Sequence, residues 1–359
     1  MKKLLIISTG GTIGQARDEK TGASVNAGAA DAELFAQRLA PELKEFGFEV
    51  YSEPALAKDS SNVVPEDWVK IINLIEKNYD DYDSFLVTHG TNTLSFTCAA
   101  LSFALGGIGK RVILTGSQVP SDASGSDALM NLQNAARVAM TDQQPLVGVM
   151  AVFGSKIITG ARVKKRTEFD YDGFESHGNV RPIGHVGRII KFDEAGLDFH
   201  MQLHRNKAKT KEQLDIIKDF NSKVIHITET PGMDPNIFQV LVEEANIKGF
   251  IISAVGAGDP NVASDNEKEL YTNLRQAFEW LQGRKTPVVV TTQAPNGVAS
   301  MDINPPGVIA SGLGAIPGWD MSPEAMYVKL VWLLGQNLRY DQYRSQMLLS
   351  YRGEVLVGD

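Results

Sequence analysis

Only one cysteine, Cys98, stands among the 359 residues, which excludes an internal disulfide framework and fits a reducing compartment. It follows a threonine in an apolar stretch and reads as a buried structural thiol. Basic residues are outnumbered, with 35 Lys and Arg against 43 Asp and Glu for a formal net charge of −8. Binding to phosphate backbones and anionic membranes is dominated by positive surface, so neither nucleic acid nor a membrane is expected as a partner. No apolar run approaches the roughly 20 residues of a membrane-spanning helix. Met1-Lys2-Lys3 before Leu4–Ile7 looks like the start of a signal peptide, but the apolar run is too short and no small-x-small cleavage site follows. A cytoplasmic protein is expected.

What remains is an ordinary soluble composition, 43% apolar and 22% charged, in a chain long enough for two domains. The stretch Leu4-Leu5-Ile6-Ile7-Ser8-Thr9-Gly10-Gly11-Thr12 organises the rest. Four branched apolar residues without alternation predict a strand buried on both faces, as in a parallel sheet. The two glycines allow a sharp turn and a close backbone approach to a ligand. The turn is neither G-x-G-x-x-G nor a phosphate loop. Ligands of open α/β sheets sit just beyond the carboxyl ends of strands, where Thr12 falls. A plain connection between two elements has the same local pattern.

The design recurs. Ser84–Thr88 runs into His89-Gly90-Thr91-Asn92-Thr93 and an apolar helix from Leu94, and Arg111–Leu114 runs into Thr115-Gly116-Ser117-Gln118. Helices are expected over Ala32–Leu43, from Pro65, and over Asp127–Met140, with further strands at Glu49–Ala55 and Leu146–Phe153. Strands alternating with helices imply a doubly wound parallel sheet whose hydroxyl-bearing strand ends define one crevice. Leu203–Lys211 is basic and polar, and the linker is placed over residues 201–221. A second α/β pattern then begins, with strands at Val224–Thr228, Gly249–Ala254 and Pro287–Thr292 and a helix over Ser322–Leu334. The expected fold is thus α/β in two doubly wound domains, a larger one over residues 1–200 and a smaller one over 222–359.

A threonine hydroxyl needs a base before it can act as a nucleophile. His89 is the obvious partner by sequence, yet two residues before Thr91 it need not face the same crevice, and a structural role is expected. A desolvated lysine can serve instead. Gly160-Ala161-Arg162-Val163-Lys164-Lys165 offers one, although by sequence physics alone a solvated basic face is the better reading.

Three segments, Thr9-Gly10-Gly11-Thr12-Ile13, Thr88-His89-Gly90-Thr91-x-Thr93 and Gly160-x-Arg162-x-x-Lys165, together resemble the bacterial-type L-asparaginases, most of all their cytoplasmic type I group. The resemblance spans nearly the whole chain. It includes Asp59-Ser60-Ser61, Leu114-Thr115-Gly116-Ser117-Gln118, Ser126-Asp127, Gly256-Ala257-Gly258 and Ile316-Pro317-Gly318-Trp319-Asp320. It implies hydrolysis of asparagine to aspartate and ammonia with no metal or cofactor. Thr12 would form the acyl-enzyme, and Thr91, the residue after it and Lys165 would form a hydroxyl–acid–lysine triad. Backbone amides near Thr12 and Thr91 would hold the oxyanion, with Gly11 and Gly90 among the substrate-binding residues. Ser60 and Ser61 match the positions that take the substrate α-carboxylate, and Ser117 lies in a further matched segment at the site. A homodimer or homotetramer is implied, a neighbour's C-terminal domain closing the site.

Three positions depart from the family pattern. Asn92 stands where the family has aspartate, which keeps the shape but loses the charge. The lid segment Gln15–Ser24 contains no tyrosine. Asp259 stands where asparagine is common, an acid that could restore attraction for a substrate α-ammonium. These departures leave room for an amidase with another amide substrate, or for a catalytically silent amino-acid-binding protein. An amidotransferase component of this fold is disfavoured by the acidic balance.

Overall fold

Leu4, Leu5, Ile6 and Ile7 are all fully buried, as a strand covered on both faces must be. They form β1 (Lys2–Ser8) of an eight-stranded sheet in a computed structural model of the chain. The structure describes residues 1–11, 15–17, 24–26, 33–34, 36–39, 41, 44, 47–143, 145–205, 207–208, 210–262 and 273–357. It divides into two units, Met1–Lys218 and Asp219–Asp359.

In the first unit, β2 (Gln15–Arg17) and β3 (Ser24–Asn26) pair with each other outside the main sheet. The main sheet continues with β4 (Phe48–Pro54), β5 (Ser84–Thr88), β6 (Arg111–Thr115), β7 (Gly148–Phe153) and β8 (Lys156–Thr159). A short hairpin, β9 (Val163–Lys165) with β10 (Phe174–Ser176), stands apart from it. Two edge strands, β11 (Gly184–Val186) and β12 (Ile190–Phe192), complete the order β12-β11-β8-β7-β6-β5-β1-β4. Pairing is parallel from β4 through β7 and antiparallel from β7 to β12. The chain leaves β1 to one side to make β4, then crosses to the other side to make β5. That reversal puts the topological switch point between β1 and β5, where open sheets bind ligands.

One face of the sheet presents Leu4, Ile6, Leu86, Ile113, Met150 and Val152 to Leu132, Ala135, Ala136 and Ala139 of the helix Ala128–Met140. The helix Leu94–Ala104 is apolar nearly all round and correspondingly buried, Cys98 included. In the second unit, β13 (Val224–Thr228), β14 (Gly249–Ala254), β15 (Val288–Thr292) and β16 (Ile316–Pro317) form a parallel sheet in that order. Phe250, Ile252 and Val290 pack there with Phe238, Phe278 and Leu281. The helix Pro323–Gly335 starts at Ser322, whose hydroxyl accepts from the Ala325 amide, as an N-cap serine should.

The α/β reading of the sequence, a larger parallel-type sheet followed by a separate smaller one, therefore holds. It does not include β8 to β12, because strands of three or four residues are too short to carry a period. The expected helix over Ala32–Leu43 is helical at its described residues.

Two histidines in the first unit are held neutral. His89 Nδ1 donates to the Gly90 carbonyl at 2.8 Å, which leaves Nε2 to accept from the Thr97 hydroxyl at 2.9 Å. His200 Nε2 donates to the Val147 carbonyl at 2.8 Å, and Nδ1 accepts from the Thr159 hydroxyl at 3.1 Å. Burial lowers each pKa from the ordinary 6.5 to about 4, the carbonyl bond pulling slightly the other way. Unfolded histidines protonate below pH 6.5 while these stay neutral until about pH 4, so the unfolded state binds more protons across that window. Stability is therefore full above pH 6.5 and falls as the pH drops toward 4, by about 3 kcal/mol for each residue. Urea titrations of the wild type and His200→Gln between pH 7.5 and 4 would check this. A pH slope identical in the two proteins would remove His200 from the account.

Candidate active site

Three chain segments meet at the switch point because glycines let their backbones touch. Gly10 and Gly11 both adopt positive φ, 87° and 81°. A Cβ on Gly11 would come within 2.4 Å of Gly90 Cα, and one on Gly10 within 2.7 Å of the Lys58 carbonyl oxygen. A Cβ on Gly90 would meet Ser60 Oγ at 2.6 Å. The turns after β1, β4 and β5 are thus in contact, and only glycine permits it. Thr12 follows Gly11 directly and lies outside the described residues, as does the lid segment apart from Gln15–Arg17 and Ser24.

The segment after β4 is anchored from below. Ser60–Asn62 is a single 3₁₀ turn whose Ser61 amide donates to the Asp59 carboxylate at 2.8 Å. Buried Asp67, in the helix Pro65–Lys77, accepts from Lys58, from Lys70 at 3.0 Å and from the Val64 amide at 3.1 Å. Burial alone would raise its pKa; these donors outweigh it and hold the carboxyl below the usual range. Thr93 Oγ1 donates to the Ser60 carbonyl at 2.7 Å, tying this turn to the one after β5.

Across that junction lies a triad drawn from distant parts of the chain. Lys165 Nζ stands 2.9 Å from Thr91 Oγ1 and 3.2 Å from Asn92 Oδ1. The Asn92 amide nitrogen donates to Ser61 Oγ at 3.0 Å, so Asn92 bridges the lysine and the serine turn. Lys165 closes β9, paired with Phe174 of β10, and is half buried. Desolvation lowers its pKa, while the nearby Glu168 carboxylate pulls it back up. The expectation of a solvated basic face is overturned for this residue, because the hairpin turns it inward onto Thr91. A cation placed beside a hydroxyl and an amide rather than a carboxylate loses its proton more readily, as a base must.

Other expectations are corrected by burial. The hydroxyl-bearing strand ends do not line an open crevice: Thr9, Thr88 and Thr115 are all buried, Thr9 donating to the Thr88 carbonyl at 2.9 Å. Thr88 and Thr115 share a register across β5 and β6, on the face that packs against Ala128–Met140. His89, with both ring nitrogens occupied, is structural, as expected from its position. Ser117 is fully buried, and its hydroxyl has no hydrogen-bond partner among the described residues. Asp259 belongs to the second unit and is not among the side chains the first unit brings together. Its Oδ2 accepts from the Ala257 amide at 3.2 Å and from Asn304 at 2.7 Å. Sequence reasoning missed Asp67 and Thr93 as supports; Pro65-x-Asp67-Trp68 was the signal available for the first.

Among the described residues no group of His, Cys, Asp or Glu is arranged to hold a metal ion, and no helix is long and apolar enough to cross a membrane.

Comparisons with known proteins bear on this arrangement. A family model described as asparaginase, N-terminal, matches residues 3–197, and one described as the glutaminase/asparaginase C-terminal domain matches residues 223–347. L-asparaginase 1 of Escherichia coli is 31% identical across 100% of this chain and 99% of its own. A glutamyl-tRNA(Gln) amidotransferase component from Pyrococcus abyssi is 32% identical across 99% of this chain and 77% of its own. The solved structure of the thermostable L-asparaginase from Thermococcus kodakarensis gives a TM-score of 0.82 at 31% identity, with 99% of both chains covered. Two family models that together cover most of the chain, and a fold shared end to end, agree with the glycine-locked junction and its lysine: the chain belongs to the asparaginase family and is an amidohydrolase.

Proposed function

We propose that the protein hydrolyses the side-chain amide of L-asparagine to L-aspartate and ammonia. The observation that carries this reading is the contact of Lys165 Nζ with Thr91 Oγ1 at 2.9 Å beside the Gly11–Gly90 junction. Thr12 is assigned as the nucleophile. Its oxygen adds to the amide carbon, and the oxyanion is held by backbone amides around Gly11 and Gly90. Collapse of that intermediate releases ammonia and leaves an ester on Thr12, which water then hydrolyses to aspartate. Lys165, neutral, takes the proton of the Thr12 hydroxyl through Thr91 and returns it to the leaving nitrogen, which departs as ammonia. Neutral again, it takes a proton from the attacking water and returns it to the Thr12 oxygen as the ester is cleaved. Ser60 and Ser61 are assigned to the substrate α-carboxylate, and Ser117 to the amide end. Asp259 is assigned to the α-ammonium, from the second unit of a neighbouring copy in a homodimer or homotetramer. The setting is the cytoplasm, with no metal or cofactor in the reaction.

Asn92 is the residue at which this reading is most exposed. Its amide accepts from Lys165 as an aspartate would, but it offers no charge to the substrate ammonium. Asn92→Asp is expected to raise kcat/KM for asparagine by about tenfold or more, given that the same exchange in a serine-protease triad is worth about four orders of magnitude. It should also move the rising limb of the pH profile upward, because a carboxylate beside Lys165 stabilises the ammonium. Ammonia release from L-asparagine by the wild type and by Asn92→Asp tests both statements. A wild type and a variant that both leave asparagine intact would pass the reading to another amide, or to a protein that only binds amino acids.

A second reading is favoured by the similarity to the amidotransferase component, which this chain matches over 77% of its length. There the ammonia would be passed to a partner protein. Rapid release from asparagine by the isolated chain would count against it.

A further inference from the structure

We propose that Gln118 is a positioning residue for Lys165, holding the backbone of the 166–173 loop so that the lysine nitrogen stays on Thr91 and Asn92. The proposal rests on the reading of Lys165 as the base. A three-residue strand such as β9 gives a long side chain little direction of its own, and the segment that follows it must be held from elsewhere. Gln118 does this with both hydrogens of its amide: Nε2 donates to the Thr167 carbonyl at 2.9 Å and to the Asp170 carbonyl at 3.1 Å. Gly173 completes the seat, because a Cβ there would lie 2.3 Å from the same nitrogen. The Arg166 amide closes the loop onto the Gly173 carbonyl at 2.8 Å.

The clamp is itself fixed. Asp127, buried before the helix Ala128–Met140, accepts from the Gln118 backbone N–H at 3.0 and 3.1 Å, from the Val119 backbone N–H at 3.0 Å and from the Asn131 side chain at 2.8 Å. Asn131 also donates to the Gly116 carbonyl at 2.9 Å and accepts from the Gly154 amide at 3.0 Å. A continuous set of hydrogen bonds therefore runs from a core helix through Asp127 and Gln118 to the loop that leaves Lys165. Asp172 provides a second anchor of the loop, independent of Gln118, through the Ser155 amide at 2.9 Å.

The charged groups around Lys165 make the position of this loop chemically visible. Glu168, on the loop, holds the lysine pKa up against burial. Lys164 and Arg166 flank it in sequence, Arg166 pairing with Asp170 at 2.9 Å, and Glu175 of β10 lies opposite Lys164. The helix Leu94–Ala104 brings only the buried Cys98 thiol.

The test uses the full chain in three forms: wild type, Gln118→Met, which keeps the volume and removes both donors, and Gln118→Glu, which turns a carboxylate onto two carbonyls. Ammonia release from asparagine is followed across pH. The expected result is a kcat lower by roughly tenfold in Gln118→Met and lower still in Gln118→Glu, with KM within twofold and the rising limb displaced. In parallel, NMR of lysine labelled at 13Cε, with the Lys165 signal assigned from Lys165→Arg, reads the titration of that group directly. A moved Lys165 titration supports the proposal whichever amide the protein cleaves. Should the wild type leave asparagine intact while that titration moves, the assigned substrate fails and the clamp stands. An unmoved titration with unchanged kcat in Gln118→Met overturns the clamp, whether or not Gln118→Glu folds.

Discussion

Replacement of Lys165 by methionine is expected to lower ammonia release from L-asparagine by about three orders of magnitude, within the range that a general base supplies. Methionine keeps most of the stem and so preserves its packing against the hairpin, which isolates the loss of the nitrogen. Two nearby groups among the described residues are badly placed to replace it. His89 is two residues from Thr91, but both its ring nitrogens are engaged and its pKa is near 4. Lys164 is adjacent in sequence and so projects from the opposite face of the strand. The pH dependence gives a second reading of the same group. Burial lowers the Lys165 pKa and only the neutral amine accepts a proton, so the wild-type rate should rise with pH through that value and level off above it. In Lys165→Met the rise should vanish along with the rate. Steady-state kinetics from pH 6 to 10, with thermal melting to show that the variant is folded, provide the comparison. A variant within tenfold of the wild type would show that Lys165 is not the base.

The largest expected loss of stability comes from the second unit. Lys329 and Glu354 are both fully buried, with Nζ 2.6 Å from Oε1. The remaining ammonium hydrogens go to the Met347 and Leu349 carbonyls, each at 2.7 Å. Glu354 in turn accepts from the Tyr351 amide at 3.2 Å and the Arg352 amide at 2.7 Å. Burial lowers the Lys329 pKa, and Glu354 is what opposes that. The pair thus stitches the last residues of the chain to the buried helix Pro323–Gly335. Glu354→Leu would leave a buried charge without its counter-ion at a cost of roughly 3–5 kcal/mol. Lys329→Met should cost a similar amount, for the opposite charge. The double variant Lys329→Met with Glu354→Leu should be less damaged than either single one, because a paired charge removed whole leaves nothing unsatisfied on the side chains. Urea unfolding of the four proteins gives the cycle. Single variants that lose under about 1 kcal/mol would show that the tail is held by its backbone contacts alone.

Much of the architecture was readable without coordinates, and the reason is local. Leu4–Ile7, Phe85–Val87 and Val112–Leu114 are apolar runs bounded by Gly-Thr turns, and a strand buried on both faces leaves that mark on its own sequence. Ser322 before Pro323 marks a helix start for an equally local reason. The short antiparallel strands from Lys156 to Phe192 left no such mark, because they are set by register against a neighbour rather than by a period of their own.

The candidate site divides along the same line. Composition and pattern by themselves determined an α/β chain of two units, glycine-bearing turns at strand ends and a buried thiol at Cys98. Each of these depends on residues close in sequence, where period, branching and backbone freedom act directly. The pairing of Lys165 with Thr91 is implied by the family resemblance and not by composition or pattern. The tertiary structure brings the two together across 74 positions, and it alone shows the hydrogen bonds of Gln118 to the loop that follows Lys165 and those of His89 to the Gly90 carbonyl and Thr97. Which polar side chain faces a neighbour and which faces water follows from the packing of distant segments. For a lysine or a glutamine, whose partner lies beyond any local window, composition and pattern are equally compatible with either outcome, whereas His89, whose partners are one and eight residues away, is expected to be structural.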